Sequence, residues 1–160
     1  MPLIRNGAFA DDHFVTVSDD APMPLNGTIV SLARFQRDRE SVLSRNSPLG
    51  VRLKSSESPE PLGEDAHRLA VIVLEFPIFR DGRPFSWARL LRTRMNYQGD
   101  IRAAGHFLYD QIAFATRVGF NSFDVPDGFT LAQYARALHE MSFVYQPSAD
   151  CRKTIRQLRA

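Results

Sequence analysis

The chain has 160 residues, 44% of them apolar and 24% charged; this composition excludes disorder and suits one domain that folds without disulfide or metal. A net charge of +2 is not the footprint of a dedicated nucleic-acid binder, and the single cysteine, Cys151, excludes an internal disulfide and any multi-thiolate metal centre. No apolar run approaches the roughly 18 residues of a membrane helix, and residues 1–12 hold no apolar signal core, so a cytoplasmic location is expected.

In chain order, Leu3 to Val17 reads as a β-hairpin turning at Asn6-Gly7. Asp19, Asp20, Pro22, Pro24 and Gly27 then mark a linker. Thr28-Ile29-Val30 is a short strand, and Ser31 caps a helix carrying Leu32, Phe35, Val42 and Leu43 to about Asn46. Gly50 to Leu53 is a second strand, and Ser58-Pro59 opens a short helix. Leu69 to Phe76 is too apolar to face water on either side, apart from Glu75. A helix follows from about Pro84 to Met95, with Phe85, Ala88, Leu91 and Met95 inward.

Ile101 to Ala104 is a strand, Phe107 to Val118 a largely apolar helix, and Gly119 its C′ residue. Phe120 to Val125 is the last clear strand, and Thr130 with Gln133 forms a capping box for a helix to about Met141. This alternation predicts a single α/β domain: a mainly parallel sheet of about five strands, flanked by helices on both faces, plus the N-terminal hairpin. A flavodoxin-like order and a barrel-like arc both remain open. The divisions are residues 1–26 for hairpin and linker, 27–148 for the α/β domain and 149–160 for a basic C-terminal tail, in which Ile155 and Leu158 could share one helix face.

Function in such a sheet belongs in the loops beyond the carboxyl ends of the strands. The glycine spacing rules out dinucleotide and Walker-type loops, and the four histidines are too far apart for a sequence-local zinc motif; no metal and no cofactor are expected. The richest loop is Glu75 to Arg83, followed by Ser86, Arg89 and Arg92; five arginines and one carboxylate, Asp81, lie between Arg80 and Arg94. It puts Asp81, Gly82, Arg83 and Ser86 at a helix N-terminus, where free amides favour an anion, with Arg89 on the face of Ser86.

Gly82, Arg83, Ser86 and Arg89 are therefore the candidate anion-binding residues. The structural alternative has Asp81 capping the turn while Arg83 and Arg89 pair with Glu75, Asp100 or Asp110. A second group gathers Arg102, Gly105, His106, Asp110 and Gln111. Asp81 and His106 are the catalytic candidates, and Arg102, Asp110 and Gln111 the orienting ones, with Asp110 and Gln111 expected buried and paired. Tyr145 reads as core, and Cys151 as a free thiol.

Phe76-Pro77-x-Phe79-x-Asp81-Gly82-Arg83, Ser86-x-Ala88-Arg89-x-Leu91-Arg92, Arg102-Ala103-x-Gly105, Asp110-Gln111 and Arg117-x-Gly119-Phe120 resemble the bacterial family DUF934. So do Pro2-Leu3-Ile4-Arg5-Asn6-Gly7 and Tyr145-Gln146-Pro147. The resemblance departs at His106 and Val118, where family members often carry an acidic residue and a cysteine, so neither group would be a requirement here. Members are typically encoded beside assimilatory sulfite reductase. The resemblance thus implies an accessory of sulfate or sulfite reduction that binds the reductase or a small sulfur oxyanion or phosphate. A small α/β enzyme acting on an anionic substrate through Asp81, Arg83 and His106 is the alternative; membrane and nucleic-acid partners are not expected.

Overall fold

Asn6 and Gly7 take left-handed φ values of 51° and 84°, the geometry a two-residue turn needs between Leu3–Arg5 (β1) and Ala8–Ala10 (β2). A computed structural model describes residues 1–150 and 152–159 of the chain, so the reading of Cys151 lies outside the described residues. The remaining strands are β3 (Phe14–Thr16), β4 (Gly27–Ser31), β5 (Leu49–Leu53), β6 (Val71–Phe76), β7 (Asp100–Gly105) and β8 (Ser122–Asp124). Helices are α1 (Leu32–Arg37), α2 (Arg39–Leu43), α3 (Arg83–Thr93), α4 (Gln111–Val118), α5 (Leu131–His139) and α6 (Ile155–Leu158), with a 3-10 stretch at Glu60–Arg68.

The chain is a mixed α/β domain, but its sheet has eight strands rather than about five, in the order β2-β1-β8-β7-β6-β5-β4-β3. β3 to β8 are parallel, each beside the next, whereas β1 runs antiparallel to both β2 and β8. The hairpin is thus part of the sheet, with Ile4 opposite Phe123. β2 and β3 lie at opposite ends of the order, yet residues 11–13 alone join them. A flat eight-stranded sheet would part its edges by about 34 Å, and the link from Ala10 to Phe14 reaches at most about 14 Å. The sheet therefore curls, bringing its two edges together at residues 11–13.

Strand order also decides where the helices go. Right-handed connections that always add the next strand on the same side put every helix on one face. The expectation of helices on both faces is corrected accordingly. Val30, Val51, Leu53, Ile72, Leu74, Phe76, Ile101, Ala103 and Phe123 alternate outward into the main core, where Phe35, Ala88, Leu91, Ile112, Ala115 and Tyr134 of the helices cover them. The opposite, inner face carries a small apolar group of Ile29, Val71, Val73 and Ala104, against which Phe14 packs. The same face carries Leu3, Gly50 and a set of polar residues: Arg52, Glu75, Arg102, Ser122 and Asp124.

Local signals place the helix ends. Ser31 accepts from the Arg34 amide at 3.0 Å, and Thr130 with Gln133 forms the reciprocal capping box. Gly119, at φ 120°, ends α4. In the tail, a second capping box at Thr154 opens α6, and the Ile155 amide donates to the Val144 carbonyl at 2.8 Å.

Candidate functional site

The loop between β6 and α3 brings Asp81, Gly82, Arg83 and Ser86 together as the sequence predicts, but its charge is largely spent internally. Asp81 accepts from the Arg83 backbone amide at 3.2 Å and from the guanidinium at 2.9 and 2.6 Å. Arg83 also donates to Ser55 at 3.1 Å. The Arg83 side chain above all, then Ser55 and the Arg83 amide, hold the Asp81 carboxyl well below the usual carboxylate range. The partner of Arg83 is thus Asp81 itself, not Glu75, Asp100 or Asp110. Arg89 and Ser86 are exposed, and neither side chain has a hydrogen-bond partner among the described residues.

Arg92 serves the fold instead. It donates to the backbone carbonyls of Tyr97, Gly99 and Gly119 at 2.7, 2.8 and 3.1 Å, gathering three chain turns at the opposite end of α3. Glu75 pairs with Arg52 at 3.1 Å, and Asp100 meets Arg5 at 3.4 Å.

The second group separates into three roles. Gly105, at φ 92°, closes β7 where an added Cβ would stand 2.4 Å from the Phe76 carbonyl oxygen, so only glycine fits. The next amide, of His106, donates to that same oxygen at 2.7 Å, and the exposed His106 side chain lines a cavity. Asp110 is exposed at the N-cap of α4 and makes no capping bond, so its expected burial is corrected: α4 starts at Gln111, and the apolar stripe begins beyond Asp110. Gln111, half-buried, accepts from the Leu108 amide at 2.9 Å and donates to the Phe79 carbonyl at 2.9 Å, locking the two loops together.

Arg102 is the buried cation of the inner face. Its side chain is 5% exposed and donates to Asp12 at 2.8 and 3.1 Å, with Asp124 3.9 Å away. Asp12 lies in the segment that joins the two sheet edges, so the curl itself supplies the partner. For Asp12, the bonds from Arg102 and the Phe14 amide outweigh the effect of burial and lower its pKa. For Asp124, burial dominates and pushes the pKa up, against the pull of Arg102 and Arg52.

Arg52, His106, Phe107, Tyr109, Asp124 and Phe129 line a cavity of about 580 Å³ at the carboxyl ends of β5, β7 and β8. Arg52 and Asp124 were absent from the sequence candidates. The available signal was a charged residue standing at an inward position of an otherwise apolar strand, as in Val51-Arg52-Leu53 and Phe123-Asp124-Val125. Among the described residues, no cluster of histidine, cysteine, aspartate and glutamate could hold a metal ion, and no helix is long and apolar enough to cross a membrane.

Tyr145 is exposed, contrary to its expected place in the core, because the chain after α5 runs along the surface and Val144 is buried in its stead. No curated protein and no solved structure matches the chain. The family model described as a bacterial protein of unknown function, DUF934, matches residues 50–156, which span the β6–α3 loop, Arg102 to Gly105 and the Tyr145-Gln146-Pro147 segment, while Pro2 to Gly7 fall outside the match. The chain accordingly belongs to the DUF934 family.

Proposed function

We propose that the protein is a cytoplasmic accessory of assimilatory sulfite reduction that acts by binding the reductase through the β6–α3 and β7–α4 loops. One observation carries this reading. Ile78, Phe79 and Leu108 are 50%, 39% and 44% exposed, on two loops that Gln111 ties together, and Phe114 of α4 is 51% exposed. Arg80 lies over the Phe79 ring at 5.4 Å, and Phe114 sits edge-on to Phe85 at 5.1 Å. Exposed aromatic and aliphatic groups edged by arginine have the composition of a protein-binding hot spot. The identity of the partner comes from the family resemblance.

A sulfur oxyanion is the small ligand of the same role. At this loop it would meet Ser86 and Arg89 directly but would compete with Asp81 for Arg83, so contact with the protein partner is the better supported mode.

The test is recovery of sulfite reductase on the tagged protein from cells grown on sulfate as sole sulfur source, washed at low and moderate salt. Contacts that are mainly apolar survive the higher salt, whereas purely ionic ones are screened. The reading predicts salt-stable recovery by the wild type and its loss in a folded Phe79→Ser, Phe114→Ser double variant. Recovery of no reductase, or equal recovery by the double variant, would contradict it.

A further inference from the structure

We propose that the cavity at the carboxyl ends of β5, β7 and β8 is a binding site for a small zwitterion of the α-amino-acid type, its carboxylate on Arg52 and its ammonium on Asp124. The site is distinct from the exposed loop surface assigned above to a protein partner.

Two incompletely satisfied charges of opposite sign share this cavity. Arg52 donates through Nε to Glu75 at 3.1 Å, while its two terminal nitrogens donate to no group among the described residues. That leaves the guanidinium fork free for a carboxylate, which it can hold by two parallel bonds. Asp124 accepts no hydrogen bond through its side chain among the described residues; its nearest cation, Arg102, stands 3.9 Å away and is already held by Asp12. Burial raises the Asp124 pKa against the pull of Arg102, Arg52 and the chain's own N-terminus, which also borders the cavity, so a cation in direct contact would still be favourable there.

The rest of the lining selects the ligand's body. Phe107, Tyr109, Ile112, Val125 and Phe129 form an apolar wall, and Gly105 keeps the β7 edge free of a side chain. A cavity of about 580 Å³, mostly apolar with a few convergent polar groups, suits a molecule of amino-acid size. One step below on the inner face, Arg102 Nε and Ser122 Oγ, on neighbouring strands and in register, are buried without a hydrogen-bond partner among the described residues. Unmet polar capacity inside a folded interior is a mark of a ligand or solvent site rather than of a packed core.

The test is calorimetric titration of the full chain with three probes: L-phenylalanine, phenethylamine, which lacks the carboxylate, and 3-phenylpropionate, which lacks the ammonium. The wild type should bind L-phenylalanine at least about tenfold more tightly than either analogue. Arg52→Gln should weaken L-phenylalanine and 3-phenylpropionate but leave phenethylamine unchanged, and Asp124→Asn should weaken L-phenylalanine and phenethylamine alone. If either variant fails to fold, the three-probe comparison on the wild type still decides. No binding of L-phenylalanine at about 10 mM, or equal binding of all three probes, would overturn the proposal.

Discussion

The β6–α3 loop and the inner face of the sheet both combine arginines with carboxylates, and they use them in opposite ways. In the loop, Arg83 and Asp81 are two residues apart and close on each other at the surface. On the inner face, Arg102 reaches Asp12, ninety residues away in sequence, because the curl brings the two sheet edges together. Within a conspicuous run of charge, Arg83 and Asp81 neutralise each other locally, whereas scattered single charges on successive strands become a coupled group. Their carboxylates differ accordingly: Asp81 is shifted down by its arginine, and Asp124 is shifted up by burial.

The largest effect is expected at Arg102. Arg102→Ala would leave Asp12 and Asp124 without their shared cation and should cost about 3 kcal/mol, read by urea unfolding. Arg83→Ala should cost less, because the Arg83 side chain is itself half-exposed and Asp81 keeps the backbone amide of residue 83 as a donor. Equal losses at the two positions would erase the contrast.

Next in size is Gly105→Ala. It combines φ 92° with a Cβ placed 2.4 Å from the Phe76 carbonyl oxygen, and should lower stability by about 2–3 kcal/mol in thermal unfolding. A smaller effect is expected for Tyr97→Phe. The buried hydroxyl donates to the carbonyls of Leu69 and Asp100 at 3.1 and 3.3 Å, and its loss should cost about 1 kcal/mol in urea.

The two carboxylates also predict opposite pH dependences. The stabilisation from Asp81 is present above its unfolded value near 3.8 and is lost as pH falls toward the depressed folded value. Asp81→Asn should thus be less stable than the wild type at pH 7, with the gap closing below about pH 4. Asp124 has a raised folded pKa, so its contribution is greatest below 3.8 and falls as pH rises through the folded value. Asp124→Asn should gain on the wild type as pH rises over that window, in urea titrations made from pH 3 upward.

Much of the local structure was legible in the sequence because it depends on residues three or four apart. The Asn6-Gly7 turn, the Ser31 cap, the Thr130–Gln133 box and the Gly119 terminator carry their own geometry. That the N-terminal strands join the sheet was not legible, because β1, β2 and β3 have three residues each and owe their place to partners distant in sequence. The single-faced helix layer follows from strand order, which no local pattern encodes. In the site, the loop's residues could be gathered because they are contiguous. Arg52, Arg102 and Asp124 meet only through strand register, and Asp12 only through the curl.

A pair of double-mutant cycles compares the two regions most directly, one on Asp12 and Arg102 and the other on Asp81 and Arg83. A coupling of about 1–3 kcal/mol is predicted for Asp12 with Arg102, and a smaller one for Asp81 with Arg83, whose guanidinium is half-exposed. A coupling near zero between Asp12 and Arg102, or a larger one between Asp81 and Arg83, would contradict a curled sheet that gathers its buried charges on the inner face.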